Sequence, residues 1–264
     1  MSPGLDLDAL ISIALDAVRA GGEIVLEAFG AHHRVHQKAP GDWVSDVDTT
    51  SEHTVRESLR RAAPDIPVFG EEEGGERGDV GWLVDPLDGT ANFLHGMPVV
   101  GVSVGLVAGG APVVGVVQAP MLGDTYTARA GGGTYHNGVP VRVSERGVER
   151  GICATGFPFR AKAERLDEYF GVFERALVAF EDLRRAGAAS LDLAWTAAGV
   201  FDGYFEQALG PWDVAAGALL VREAGGVVTD WSGDDAAWLT SGDVVAAPPD
   251  VHTRLLELIA QART

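Results

Sequence analysis

Trp82-Leu83-Val84-Asp85-Pro86-Leu87-Asp88-Gly89-Thr90-Ala91-Asn92-Phe93 is the stretch on which the fold turns. Its first three residues make a short apolar strand that delivers Asp85 at its end. Pro86 stiffens the turn and removes one N–H, and Asp88 follows three residues later, so both carboxylates face one point. Two anions held that close repel and rise in pKa unless a cation sits between them. Hard oxygen donors of this kind select Mg²⁺, Mn²⁺ or Ca²⁺ over zinc. Gly89 and Thr90 then present backbone N–H groups where a short helix begins, which is a ready anion site. A divalent cation beside an anion hole suits phosphate. Standing alone, the same residues also describe a plain Asp-Gly turn with a solvated aspartate.

Working outward, residues 7–29 carry apolar positions at helical spacing and Gly30 closes them. Residues 31–42 read as loop. A second helix is expected from Asp48 or Thr49, because Thr49 and Glu52 have the spacing of a capping box, and it ends before Pro64. Strands are expected over 66–69, 82–84, 99–108, 113–118 and 125–128. Asn137-Gly138 marks a hairpin, since both residues tolerate the positive φ of a type I′ turn. After Cys153 the pattern predicts a strand, then helices over 161–185, 190–199 and 213–224, the last ended by Gly225-Gly226. Strands over 227–229 and 244–247 and a helix over 251–262 complete the chain. No linker rich in Pro, Gly or Ser divides it, and no internal repeat is present. One compact body is expected, with two sheet-bearing lobes over about 1–150 and 151–264. Layers of helix and sheet without a regular βαβ rhythm place it in the α+β class rather than among doubly wound sheets.

The 264 residues include 38 Asp and Glu against 20 Lys and Arg, a net charge of −18. An excess of this sign repels phosphate backbones and no basic stripe interrupts it, so no nucleic-acid partner is expected. At 46% hydrophobic and 22% charged, the composition is that of a globular chain with a sizeable core. Cys153, the single cysteine, forms no intrachain disulfide, which points to a reducing cytoplasm. Residues 1–10 lack Lys and Arg, and Asp6, Asp8 and Asp16 interrupt what would be the apolar core of a signal peptide. Between Asp88 and Asp124 there is no Asp, Glu, Lys or Arg, yet Pro98, Gly109, Gly110, Pro112 and Pro120 break any spanning helix. Two buried strands are expected there, and no membrane segment.

Gly70-Glu71-Glu72 ends another strand, and Trp212-Asp213 opens a late helix. Taken separately, Glu71 to Glu73 read as a solvated charge run and Asp213 as a helix N-cap. Together with the stretch from Asp85 to Phe93, Gly70-Glu71-Glu72 and Trp212-Asp213-Val214-Ala215-Ala216-Gly217 resemble the three signatures of the inositol monophosphatase family, in order and at the usual separations. The likeness runs from about residue 10 to 259. It implies a layered αβαβα sandwich of the inositol monophosphatase and fructose-1,6-bisphosphatase type, a homodimer, and lithium-sensitive, Mg²⁺-dependent hydrolysis of a small phosphate monoester.

Carried across residue by residue, Glu71, Asp85, Asp88 and Asp213 match metal-ligating carboxylates, and Leu87 lends its carbonyl oxygen. The resemblance implies two or three Mg²⁺ ions, for which Mn²⁺ substitutes. Such ions lower the pKa of a bound water, neutralise the phosphate and stabilise the leaving alkoxide. Asp48 and Thr90 match the pair that orients the attacking water, with Glu71 counted beside them as catalytic. Substrate contacts fall on Asp88, Gly89, Thr90, Asp213, the Gly187-Ala188-Ala189 backbone and Glu206, whose carboxylate accepts from substrate hydroxyls. Lys38 matches a lysine on a mobile loop near the metals. Ala188 replaces a Ser or Thr common in relatives, with Ser190 two residues on, and Gly210 replaces a basic or histidine side chain. Inositol monophosphate is the first expectation for the substrate. Fructose 1,6-bisphosphate, histidinol phosphate and a nucleotide 3′-phosphate are the alternatives, and the lack of basic residues around Gly210 disfavours the more highly charged of them.

Competing readings are weaker. Asp46-Val47-Asp48-Thr49-Thr50 fits the D-x-D-x-T pattern of haloacid-dehalogenase-like phosphatases, but Pro40-Gly41-Asp42 stands where the hydrophobic strand before that nucleophile belongs. A cysteine phosphatase needs C-x5-R, and Arg160 falls one residue too late after Cys153, which reads as a small buried residue. His32, His33 and His36 lack the Cys or carboxylate that would complete a zinc site. A non-catalytic protein that binds divalent ions or a partner through the same carboxylates has no need of Asp48 and Thr90.

Overall fold

Two large sheets hold all the strands but those of one small two-stranded ribbon, and the helices fill the layers around them. The computed structural model describes residues 5–39 and 42–264; residues 1–4, and Pro40 and Gly41 within the expected loop, lie outside the described residues. The first half contains α1 (Leu7–Ala28), β1 (Val35–Ala39), β2 (Asp42–Ser45), α2 (Asp46–Ala62), β3 (Val68–Gly70), β4 (Val80–Asp88) and α3 (Thr90–Leu94). It continues with β5 (Gly101–Ala108), β6 (Ala111–Ala119), β7 (Asp124–Arg129), β8 (Thr134–His136) and β9 (Val139–Val141). The second half contains β10 (Ile152–Thr155), a 3₁₀ turn at Phe159–Ala161, α4 (Lys162–Ala179), β11 (Asp182–Arg184), α5 (Ala189–Ala197) and β12 (Gly203–Glu206). It closes with α6 (Pro211–Glu223), β13 (Val227–Thr229), α7 (Trp238–Ser241), β14 (Val244–Ala247) and α8 (Pro249–Ala262).

Strands β3 to β9 lie side by side in chain order, antiparallel except for β3 beside β4. The smaller sheet has the order β11-β10-β12-β14-β13, with β10 parallel to both neighbours. Side chains alternate across each sheet, so each contributes to two cores. Val116 faces a core made with α1 and α2, whereas Val117 faces one shared with α5 and α6. On the smaller sheet Tyr204 and Ala246 join that central core, while Phe205 and Val245 pack with Tyr169 of α4 and Leu255 of α8. The result is five layers, αβαβα, as the resemblance implied. Burial of both faces of β5 and β6 explains the charge-free run between Asp88 and Asp124. Among the described residues no helix is long and apolar enough to cross a membrane.

Several local expectations are corrected. Residues 35–39 and 42–45, read mostly as loop, pair as β1 and β2, and no alternating signal in the sequence marks them. α2 starts at Asp46 with Ser45 as its cap, and the reciprocal pair is Ser45 with Asp48 instead of Thr49 with Glu52. Residues 182–184 leave the expected long helix to pair as β11 beside β10. β4 does not end at Asp85 but continues to Asp88 across an irregularity in its pairing with β5. Asn137 and Gly138 do take positive φ, 48° and 80°, at the β8–β9 hairpin. Cys153 is fully buried, and burial pushes its thiol pKa up, as a packed residue requires.

α6 approaches the large sheet closely because small residues face each other. A Cβ added at Gly115 of β6 would lie 2.7 Å from the carbonyl oxygen and 3.0 Å from the Cα of Ala216, backbone atoms that cannot swing aside. Gly115→Val is therefore expected to cost about 1–3 kcal/mol by overpacking, seen as a lower melting temperature in calorimetry. An unchanged melting temperature would show that α6 does not depend on this approach.

Candidate active site

The site is assembled from the irregular end of β4, the turn after β3, the start of α3 and the first turn of α6. Asp85 pairs with Ser103 on β5, but Asp88 pairs with Gly101, so β4 holds one more residue than its partner across Pro86. A bulge of this type re-aims side chains, and both aspartates line one cavity of about 280 Å³. Ser51 on α2 donates to the Pro86 carbonyl at 2.9 Å and fixes the bulge from behind. Gly89 then turns the chain into α3 at φ 90°, a left-handed conformation that suits glycine.

Glu71 is held indirectly. Glu52, fully buried on α2, accepts from the backbone N–H of Glu72 at 2.7 Å and of Glu73 at 2.9 Å. Arg56, one turn on, bonds Glu52 at 2.8 Å and also donates to the carbonyls of Val68 and Gly74. The glutamate that looked like half of a capping box therefore shapes the turn that presents Glu71. Asp213 is the third residue of α6, not its cap: its Oδ2 accepts from the Gly210 N–H at 2.7 Å. One carboxylate oxygen each from Glu71, Asp85 and Asp213 lie within 4.8 Å of one another.

Asp88 stands beside this set, with its Oδ2 accepting from the backbone and hydroxyl of Ser190 at 2.7 and 2.6 Å. Thr90 donates its hydroxyl to Asp48 Oδ1 at 2.8 Å and also approaches the Leu87 carbonyl at 3.2 Å. Ser45 holds the other oxygen of Asp48 through its N–H and hydroxyl. Gly187, Ala189 and Glu206 line the same cavity, while Ala188 is buried in the wall behind. Glu206 is buried at the end of β12 and accepts from the Tyr204 hydroxyl at 2.6 Å. Lys38 reaches from β1 to Glu72 at 2.5 Å and Glu71 at 3.4 Å.

Sequence reasoning missed several cavity residues: Trp43, Phe157, Phe159, Arg160 and Arg185. Asn92 was also missed as a fastener; its amide donates to the carbonyls of Val99 and Ala186, tying α3 to the 186–189 wall. No spacing signals them, because each comes from a segment distant in the chain. The two arginines supply basic side chains to the cavity that the sequence around Gly210 does not announce.

Burial dominates the electrostatics. It raises Glu71 to about 8, aided by the charge of Asp213 and opposed by Lys38 and Arg160. Asp85 is pushed well above the usual carboxylate range by burial and by Glu71, Asp88 and Asp213. Asp88 rises to about 7 through burial and Asp213, against the Ser190 bonds. Burial also lifts Asp48, opposed by Ser45 and Thr90, and takes Glu206 to about 8 against the Tyr204 bond and Arg185. These are oxygen donors crowded at one point and short of positive charge, the chemistry that a hard divalent cation fits.

The five-layer architecture over a carboxylate-lined cavity is a phosphatase-type fold, and a family model described as the inositol monophosphatase family matches residues 6–264. The chain belongs to the inositol monophosphatase family. It is 42% identical over 260 residues to a putative Nus factor SuhB of Neisseria meningitidis, covering 96% of this chain and 99% of that protein. The extragenic suppressor protein suhB from Bartonella henselae has a similar structure, with a TM-score of 0.91 at 34% identity over 95% of this chain and 98% of that one. An IMPase from Thermotoga maritima matches with a TM-score of 0.88 at 31% identity, over 96% and 98%.

Because Glu71, Asp88 and Glu206 have folded pKa values above their ordinary ones, the folded chain retains protons that the unfolded chain has lost. Their contribution to stability is full below about pH 4 and is lost as pH rises towards about 8. Metal-stripped protein is therefore expected to melt several degrees lower at about pH 8 than at about pH 5, and saturating Mg²⁺ should narrow the gap. A melting temperature that rises with pH over this range would contradict the buried-carboxylate account.

Proposed function

We propose that this chain hydrolyses a small phosphate monoester with the help of Mg²⁺, inositol monophosphate being the first candidate. What carries the reading is the convergence of Glu71, Asp85 and Asp213, from three separate elements, beside the Thr90–Asp48 pair. Those three carboxylates would hold the cation, with Asp88 and the Leu87 carbonyl completing the donor set. When bound, such ions lower the pKa of a water, offset the phosphate charge and stabilise the leaving alkoxide.

The chain's own residues supply direction. Because the Thr90 hydroxyl donates its hydrogen bond to Asp48, its oxygen is left to accept a hydrogen bond from the attacking water and aim it at phosphorus. Ser45 keeps Asp48 from turning away. The backbone at Gly89 and Thr90, opening α3, faces the cavity and receives phosphate oxygens. Glu206, braced by Tyr204, accepts from a hydroxyl of the leaving group, and Gly187 to Ala189 form the wall beside it. Arg160 and Arg185 add positive charge to the cavity, which restores the more highly charged substrates as alternatives. The homodimer belongs to the same reading and is checked by light scattering.

A second reading rests on the Neisseria relative's name, Nus factor: a partner-binding role in which turnover is dispensable. Phosphate release from inositol 1-phosphate, fructose 1,6-bisphosphate, histidinol phosphate and a nucleotide 3′-phosphate separates the two. Release with Mg²⁺ and none with EDTA is the expected result; none under either condition favours the second reading. Asp85→Asn or Asp213→Asn is expected to cut turnover at least roughly 100-fold, the scale of losing a main electrostatic stabiliser. Near-normal turnover in either variant would remove that residue from the metal set.

Glu206→Ala is expected to lower kcat/KM for inositol 1-phosphate by roughly tenfold to a hundredfold, the loss of one charge-assisted hydrogen bond. Para-nitrophenyl phosphate, with no hydroxyls to satisfy, should stay within about threefold. Equal losses on both would assign Glu206 to the fold.

A further inference from the structure

Arg160 stands in the one-turn 3₁₀ segment Phe159–Ala161, far in the chain from the carboxylates it meets. Its Nη1 donates to Asp213 Oδ2 at 2.6 Å, and its Nη2 lies 3.4 Å from Glu71 Oε1. One guanidinium thus bridges two of the three carboxylates that converge in the site. Its Cζ lies 4.9 Å from the centre of the Phe159 ring, and a quarter of the side chain is exposed at the cavity.

Neither carboxylate needs Arg160 for its orientation. The Gly210 N–H already holds Asp213 Oδ2 within the first turn of α6. Glu71 has its backbone N–H on the Val84 carbonyl, and the turn beyond it is gripped by Glu52. What the guanidinium adds is charge. Five carboxylates, those of Glu71, Glu72, Asp85, Asp88 and Asp213, gather here, and Lys38 serves the pair Glu71 and Glu72 on the other side. A divalent cation drawn to Glu71 and Asp213 meets a positive charge already seated on both.

We propose that Arg160 is a displaceable counter-ion: it neutralises Asp213 and Glu71 until a divalent cation takes them, and so sets the affinity of the site for that cation. This rests on the metal reading above. Its removal leaves the carboxylates oriented but more negative, so the cation should bind more tightly. At a separation of about 5 Å in a well-solvated cavity, losing one positive charge opposite a dication corresponds to roughly tenfold in affinity.

The test is calorimetric titration of Mg²⁺ into the metal-stripped full chain, compared among wild type, Arg160→Gln and Arg160→Lys, with thermal melts to confirm folding. Arg160→Gln should lower the first dissociation constant roughly tenfold, and Arg160→Lys, which keeps the charge, should stay within about threefold of wild type. Without Mg²⁺ the Gln variant should melt below wild type, and its gain on adding Mg²⁺ should be larger. An affinity in Arg160→Gln equal to or weaker than that of a wild type that does bind Mg²⁺ would overturn the proposal and make Arg160 a support for the ligands, leaving the metal reading intact. Absence of Mg²⁺ binding by wild type would overturn both.

Discussion

Mutual repulsion among Glu71, Asp85, Asp88 and Asp213 is the constraint around which the rest of this structure is arranged. Left to themselves, carboxylates on three pieces of chain would swing apart into water. Each is instead held by something other than its neighbours: a bulge across Pro86 for Asp85 and Asp88, the Ser190 N–H and hydroxyl for Asp88, and the Gly210 N–H for Asp213. Glu71 depends on the turn organised by Glu52 and Arg56. The stability lost by crowding anions is offset by three apolar cores in alternating layers.

The same layering connects packing to chemistry. α6 carries Asp213, and its small residues let it lie close against β5 and β6, next to the strand that carries Asp85. α2 supplies Asp48, Ser51 and Glu52 from the opposite face of the large sheet. Helices from both sides of one sheet therefore reach the end of β4, which is why the site sits where the ladder is interrupted. The second sheet closes the cavity with Glu206 at the end of β12, and the 3₁₀ turn beyond β10 adds Arg160. Net charge of the whole chain and the carboxylate charge at the end of β4 agree in sign, which favours a cation there.

Much of this was legible in the residues. The approach of Asp85 and Asp88 follows from strand, proline and spacing, and the charge-free run beyond them announced strands buried on two faces. The β1–β2 ribbon was not legible, because two short strands paired only with each other leave too few residues for a period to be read. Thr49 and Glu52 offered a capping box that does not form, since Glu52 is worth more to the buried N–H groups of the Glu71 turn than to a helix end on the surface. The burial of Glu206 was not legible either, because it follows from β12 running through the middle of a sheet covered on both sides.

By itself the sequence determined the element types wherever hydrophobic periodicity was strong, the carboxylate pair on β4, and the family through three separated signatures. Those properties are local: they depend on neighbours along the chain and on side-chain chemistry. Tertiary structure alone decided that Glu71 and Asp213, 142 positions apart, share a point with Asp85. It also decided that Arg160 lies on that point and that Arg185 and three aromatic side chains wall the cavity. Contacts of that kind are set by how helices seat on sheets and where a strand bulges, and no spacing in one dimension records the distance between residues that meet only when layers close.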